Sequence, residues 1–327
     1  MTASTYADLY HRMAADIDAE RESVLDLLSP APSVRAVVAK LLRERTFAYP
    51  LSVLPLIVHA AETGSPAPAL PLTVVHDLWW TTACRLDDLA DSPDGQETAD
   101  PEVNQTLLAI VAAGTPLPLL IVQTLRVPGP IRAALSAEVA RCWVAAAEGQ
   151  LRDIEGEAVT ATRSSVRNTY LGKSGAPFAM ITAMAARLAG AEERRVAGWR
   201  SFGEVFGLIW QLFNDQEDIL SGRFEDLRNG TVTYLLACCL EQAPPDSARR
   251  LTDLHSAAKS SAPARSALTR ELLAPAVLAT YTQHCEELQR RAHRILDELG
   301  GTEEYLTLLR DLVDQASRVL LRTDTAA

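Results

Sequence analysis

The sequence predicts an all-α fold in a single domain spanning residues 1–327, and three observations carry that expectation. Apolar residues recur at three- and four-residue steps along the long segments, the period of a helix with one buried face. Those segments are rich in Ala, Leu, Arg and Glu, the residues that cost least in a helix. Alternating β-branched runs are missing, and the Asn229-Gly230 pair follows a helical segment instead of joining two strands.

Taken in chain order, the first twenty or so residues predict an N-terminal helix, followed by the break "SPAPS" and the amphipathic segment "SVRAVVAKLLRERT". After "TGSPAPALP" comes the apolar run "LWWTTAC", which leads directly into "RLDDLADSPDG". The stretch "LLAIVAAGTPLPLLIV" is interrupted by Gly114, Pro116 and Pro118, so it falls short of the roughly 18 apolar residues of a membrane span. Beyond "VPGP" lie three long helical patterns, "AALSAEVARCWVAAAEGQLRDIEGE", "SGAPFAMITAMAARLAG" and "VAGWRSFGEVFGLIWQLFNDQEDIL". "QAPPD" and "KSSAPARS" mark later turns, and "EELQRRAHRILDEL" closes the series with a solvated face. The expectation is roughly ten helices with short connections, and a disordered tail at 322–327.

Charge and composition narrow the function classes. A formal charge of −11 and a pI near 5.1 argue against nucleic acid or an anionic membrane surface as partner. The five cysteines are odd in number and lack CxxC spacing, so they read as reduced, mostly buried thiols of a cytoplasmic protein. The N-terminal segment "MTASTYADLYHRMAADIDAE" carries acids and no apolar core, unlike a secretory signal.

Two acidic clusters carry the chemistry. Asp87, Asp88 and Asp91 form D-D-x-x-D, which puts Asp87 and Asp91 on one helix face. Like charges at that spacing repel unless they are solvated or bound to a cation, so this cluster alone is either an acidic helix end or half of a metal site. The second cluster, Asn214, Asp215 and Asp218, repeats the spacing as N-D-x-x-D, with Gln211 one turn earlier on the same face. It too ends a greasy helix, behind Phe206, Trp210 and Phe213. Two such clusters are hard to explain as solvated faces, and magnesium suits them, because it takes one or two carboxylates plus substrate phosphates.

With both clusters in view, the chain resembles the trans-isoprenyl diphosphate synthase superfamily, also called the polyprenyl synthetase family. Four landmarks fall in family order between Trp79 and Leu236. "DDLAD" is similar to the first aspartate-rich motif, and "EGQLRDIEGE" resembles the Gly-Gln-x-x-Asp segment, giving Gly149, Gln150 and Asp153. "LGKSGAPF" resembles the Lys-Thr step, giving Lys173 and Ser174; Lys173 is one of only three lysines. "FGLIWQLFNDQEDIL" with "EDLRNGTVTYLL" is similar to the second motif and the Asp-Leu-x-x-Gly-Lys-x-Thr-x-Pro segment beyond it.

The resemblance implies a class I isoprenoid synthase helical bundle around a central active-site cavity, commonly a homodimer. It implies three magnesium ions held by Asp87, Asp88, Asp91, Asn214, Asp215 and Asp218, gripping the diphosphate of an allylic prenyl substrate. Gln150, Lys173, Gln211, Arg223 and Arg228 are the expected diphosphate-binding residues. Asp226 is expected to pair with Arg223 or Arg228. Thr82 and Ala83, five and four residues before the first motif, are small and admit a farnesyl to geranylgeranyl tail, floored by Trp79. Phe178 and Trp210 are expected to line the pocket, where aromatic faces can stabilise a carbocation.

Departures from the family pattern bear on the reaction. Where elongating synthases carry Gly-Gly-Lys-x-x-Arg-Pro, this chain reads "RTFAYPLSVLPL"; where they carry Arg-Arg-Gly, it reads "DSPDGQETADPEV". Thr231 replaces the lysine after Gly230, and Asn214 replaces an aspartate, partway toward the Asn/Ser/Glu motif of terpene cyclases. A second diphosphate needs several cations, and the expected ones are missing, with Arg43, Arg45 or Arg223 as substitutes. The leading expectation is therefore a terpene synthase on the polyprenyl-synthase scaffold. Transfer to a second small-molecule acceptor other than isopentenyl diphosphate, a degenerate non-catalytic subunit, and ordinary elongation stay open.

Overall fold

A computed structural model describes residues 5–44, 49, 51–90 and 101–323, and among these the regular structure is helical throughout. The all-α expectation is met, with sixteen α-helices where roughly ten were expected. The surplus comes largely from the run of shorter helices after the second acidic cluster, divided at Gly222, Gly230, Pro244, Pro263, Pro275 and Gly300.

The N-terminal helix α1 (Tyr6–Asp26) opens on a capping box, in which the Thr5 side chain accepts from the Asp8 amide and Asp8 accepts from the Thr5 amide. It is followed by α2 (Pro32–Glu44), the mostly apolar α3 (Leu54–Thr63), and α4 (Leu70–Ala90), whose last turn carries Asp87 and Asp88. Next come α5 (Pro101–Gly114) and α6 (Pro116–Thr124). The stretch Val103–Thr124 is long and apolar enough to cross a membrane by length and composition. It is nevertheless two helices that break at Thr115, and Ala109, Ile110, Ala113, Leu117, Ile121 and Val122 are buried in protein.

The second half contains α7 (Gly129–Ile154), α8 (Arg163–Tyr170), a π-helical turn at Leu171–Gly175, α9 (Ala176–Leu188) and α10 (Glu193–Leu220). The short α11 (Glu225–Asn229) is followed by α12 (Tyr234–Gln242), α13 (Pro245–Ala258), α14 (Ala262–Leu272), α15 (Pro275–Leu299) and α16 (Glu303–Ala316). Four of the cysteines are buried and Cys84 is half-buried; all are free thiols.

Contacts divide the chain into two compact units. One contains the described residues up to Trp143, with Ala179–Ser201 and Glu298–Asp311. Its buried acids are each held by an arginine. Asp77 accepts from Arg21, Glu62 accepts from Arg195 and from the Trp199 indole, and Glu138 accepts from Arg200 with Arg141 alongside. Burial alone would push the Glu138 carboxyl up, but Arg200 and Arg141 outweigh it and hold it below its ordinary value of 4.5. In the unfolded chain Glu138 binds its proton more readily, so this contribution is present above the ordinary value and is lost as pH falls through the lowered one. Glu138→Ala is expected to cost about 2 kcal/mol by removing the carboxylate that the half-buried Arg187 and Arg200 share. Glu138→Gln is expected to flatten the acid limb of the stability curve; an unchanged limb in pH-dependent urea melts would contradict this.

The other unit contains Val144–Phe178, Phe202–Asp297 and the residues from Leu312 onward. Its core is aromatic along α10: Phe202, Phe206, Trp210 and Phe213 follow one another with ring centroids 5.3–6.3 Å apart, and Phe178 packs edge-on against Phe206 at 5.0 Å. The Tyr281 hydroxyl donates to the Leu212 carbonyl at 2.8 Å, which ties α15 to the C-terminal half of α10.

Candidate active site

The second unit holds the second acidic cluster with Lys173 and Gln211, and three glycines shape this region. A Cβ on Gly149 of α7 would lie 2.5 Å from the Lys173 amide nitrogen, and one on Gly172 would lie 2.7 Å from the Ala145 carbonyl. On the opposite side, Gly207 of α10 lies against Ser174 and Gly175 backbone. The π-helical turn is thus clamped between two helices at backbone-to-backbone distance, which only glycine permits. Such a turn widens the helix by one residue and re-aims the side chains on it. Lys173 is directed to α7, where its ammonium donates to Asp153 at 2.6 Å, and Ser174 is directed to α10, where its hydroxyl donates to Gln211 at 2.5 Å.

From Gln211 the network continues to the second acidic cluster. The Gln211 amide donates to one oxygen of Asp215 at 2.9 Å, and the Tyr170 hydroxyl donates to the other at 2.5 Å. Tyr170 in turn accepts from the Tyr234 amide at 3.0 Å. Asp218, one turn later, accepts from the amides of Glu225 and Asp226 at 2.9 and 3.3 Å, and so caps the short α11. That geometry needs Phe224 at φ 52, the one non-glycine residue with positive φ among those described. A left-handed phenylalanine is strained, and the strain sits in the loop that follows the acidic cluster.

Electrostatics separate these acids from those of the first unit. Asp215 and Asp226 have no arginine or lysine in an ion pair among the described residues. Burial pushes the Asp215 carboxyl up to about 7, against the pull of its hydrogen bonds from Tyr170 and Gln211, with Asp153 adding to the rise. Asp226 is raised well above its ordinary value, by burial first and then by Asp215 and Asp218. Asp226 therefore faces carboxylates, and the expected pairing with Arg223 or Arg228 is replaced by mutual repulsion. Three carboxylates, Asp153, Asp215 and Asp226, share the field of Lys173.

The remaining sequence-derived candidates fall as follows. Asn214 is exposed beside the buried Asp215. Arg223 lies 3.9 Å from Asp218 and 3.5 Å from Glu225, and Arg228 is exposed on α11. Gln150 is half-buried on α7. Phe178 and Trp210 are buried in the aromatic row of α10. In the first unit, Asp87 is half-buried and Asp88 is exposed, 3.8 Å from Arg85, on the last turn of α4; Asp91, like Arg45, lies outside the described residues. Trp79 is buried between Trp80 and Trp143, at centroid distances of 5.0 and 5.5 Å; Thr82 is buried with its hydroxyl donating to backbone carbonyls, and Ala83 is half-buried. His76 is buried and accepts from the Trp80 indole, and burial lowers its pKa to about 3, so it stays neutral and structural. A groove of about 350 Å³ beside the α7 crossing is lined by Glu148, Arg152, Asn168 and Glu204 and includes none of the second-cluster acids.

Sequence reasoning missed Tyr170 and Lys259. Tyr170 stands three residues before Lys173 and four before Ser174, a helical turn's spacing that a search around Lys173 could have found. Lys259 follows α13 and lies across Gly230, so that a Cβ there would come within 2.6 Å of its ammonium nitrogen. No local sequence signal announces that contact.

Magnesium fits the donor set. The acids are hard oxygen ligands, and the raised Asp215 and Asp226 carboxyls register a demand for positive charge. Among the described residues no group of three His, Cys, Asp or Glu side chains is arranged to hold a metal ion by itself.

The model of the polyprenyl synthetase family matches residues 55–272. Solved structures share the fold at low identity. A geranylgeranyl pyrophosphate synthetase from Pyrococcus horikoshii aligns with TM-score 0.76 at 19% identity, covering 96% of this chain and 99% of its own. A decaprenyl diphosphate synthase from Rhodobacter capsulatus gives 0.75 at 18%, with 94% and 97% covered. A geranylgeranyl pyrophosphate synthase from Corynebacterium glutamicum, complexed with isoprenyl diphosphate and magnesium, gives 0.72 at 18%, with 94% and 96% covered. No curated protein sequence matches.

Proposed function

We propose, for a chain that belongs to the polyprenyl synthetase family, that it catalyses prenyltransferase-type chemistry by ionising an allylic prenyl diphosphate with magnesium. The observation that carries this reading is the buried Asp215 and the half-buried Asp226, which stand beside Lys173 with no arginine or lysine ion pair among the described residues, whereas the buried Asp77 and Glu138 have arginines.

Lys173 would hold phosphate oxygens, exchanging Asp153 for the ligand, and Lys259 stands at Gly230 to add a second ammonium. Asp87, Asp88, Asp215 and Asp218 are the described residues we assign to magnesium, which when bound supplies charge to stabilise departing diphosphate. The C–O bond breaks with its electron pair leaving on the diphosphate. The aromatic row from Phe178 to Phe213 excludes water and offers π faces to the cation left behind.

For the fate of that cation we favour cyclisation or quenching by water with loss of a proton, as in a terpene synthase. The sequence at 45–56 and 91–103 lacks the cations expected for isopentenyl diphosphate. The family match favours a second reading, in which the electron pair of an acceptor captures the cation. Purified protein with magnesium and geranyl, farnesyl or geranylgeranyl diphosphate, with and without isopentenyl diphosphate, tests both. Hydrocarbon or alcohol formed without acceptor is the expected result. A longer diphosphate appearing only with isopentenyl diphosphate would overturn the terpene-synthase reading and restore elongation.

A further inference from the structure

Among the buried groups of the second unit, Tyr170 makes contacts that packing alone does not require. Its ring is buried, its hydroxyl donates to Asp215 at 2.5 Å, and the same oxygen accepts from the Tyr234 amide at 3.0 Å. Satisfying a backbone N–H needs only an acceptor; the proton of the hydroxyl goes to a carboxylate that the rest of the fold could have paired with an arginine, as it does for Asp77, Glu62 and Glu138.

We infer that Tyr170 is a positioning residue which, with Gln211, fixes the plane of Asp215 while leaving its charge unneutralised for a cation. This rests on the function proposed above. A carboxylate offers about four lone-pair directions. Tyr170 occupies one on Oδ2 and Gln211 one on Oδ1, which leaves one open on each oxygen. Neutral donors orient a carboxylate without the charge cancellation an arginine brings. Because Tyr170 is anchored at the first residue of α12, the orientation of Asp215 is tied to the segment Glu225–Thr233 that follows the acidic cluster.

The experiment titrates magnesium in the presence of inorganic diphosphate into wild type, Tyr170→Phe, Asp215→Asn and the double variant by calorimetry. Tyr170→Phe is expected to weaken magnesium–diphosphate binding about tenfold, the usual size of an outer partner's contribution. In the Asp215→Asn background the same change is expected to alter binding less than about twofold, because its route to the ligand is already gone. Unchanged affinity in the single variant, or an equal loss in both backgrounds, would overturn the inference. Wild type that fails to bind magnesium diphosphate would instead remove the parent reading, and this one with it. If Tyr170→Phe does not fold, the ring carbon bearing the hydroxyl, labelled in wild type, should shift on adding magnesium diphosphate; a static resonance would be equally fatal.

Discussion

Asp87→Ala is expected to reduce magnesium-dependent diphosphate release by on the order of 10³-fold, the scale of losing one preorganised electrostatic group at a developing charge. The same change is expected to leave thermal stability unchanged or slightly raised. Asp87 and Asp88 sit in the last turn of α4, where the helix dipole is negative and carboxylates are disfavoured by about 0.3–1 kcal/mol. Asp87 is half-buried, and Asp88 is exposed with Arg85 at 3.8 Å. The helix end disfavours both charges, and Asp87 is assigned to magnesium in the function proposed above, so turnover and stability are expected to separate. Paired melting curves and radiolabelled diphosphate release check it. A variant with near-wild-type turnover would remove Asp87 from the metal site; one that fails to fold would show that the cluster is structural.

Helical period and the two acid clusters were legible because both are local. The 3.6-residue pattern of α7 and α10 is written in consecutive residues, and so is the N-D-x-x-D spacing of Asn214, Asp215 and Asp218. What was not legible depends on contacts between distant segments. Tyr170 and Asp215 are 45 residues apart, and although the spacing to Lys173 places Tyr170 on the same helical face, it does not name Asp215 as its partner. Lys259 reaches Gly230 across a helix and its turn. The π-helical turn was equally hidden: the glycines of "LGKSGAPF" announce a weak point in the helix, but the widening depends on Gly149 on one side and Gly207 on the other. Asp226 was misread for the same reason: two arginines lie near it in sequence, and two aspartates lie near it in space. Local pattern locates an acid, whereas its partner decides whether it is structural.

Gly149→Ala isolates that clamp from the charges it positions. The added Cβ would stand 2.5 Å from the Lys173 amide nitrogen, 2.8 Å from the Gly172 carbonyl carbon and 2.9 Å from the Gly172 Cα. All three are backbone atoms, so no side-chain rotation relieves the overlap, and α7 must separate from the π-helical turn. Overpacking of this kind costs about 3 kcal/mol, which for a chain of this size lowers the melting temperature by roughly 4 °C. Activity should fall further than stability does. Lys173 and Ser174 lie on the displaced turn, so Lys173 loses register with Asp153 and Ser174 with Gln211, which itself holds Asp215. A displacement near 1 Å at a positioned group can cost on the order of 10²-fold in rate. The discriminating measurement is turnover well below the variant's own melting temperature, where the folded fraction is near one. Full activity there would show that the turn tolerates the separation and that Lys173 is not held by it. Loss of activity with the fold intact would place the reaction's cation on the glycine-clamped turn, a site made by the absence of a side chain at Gly149 as much as by the charge on Lys173.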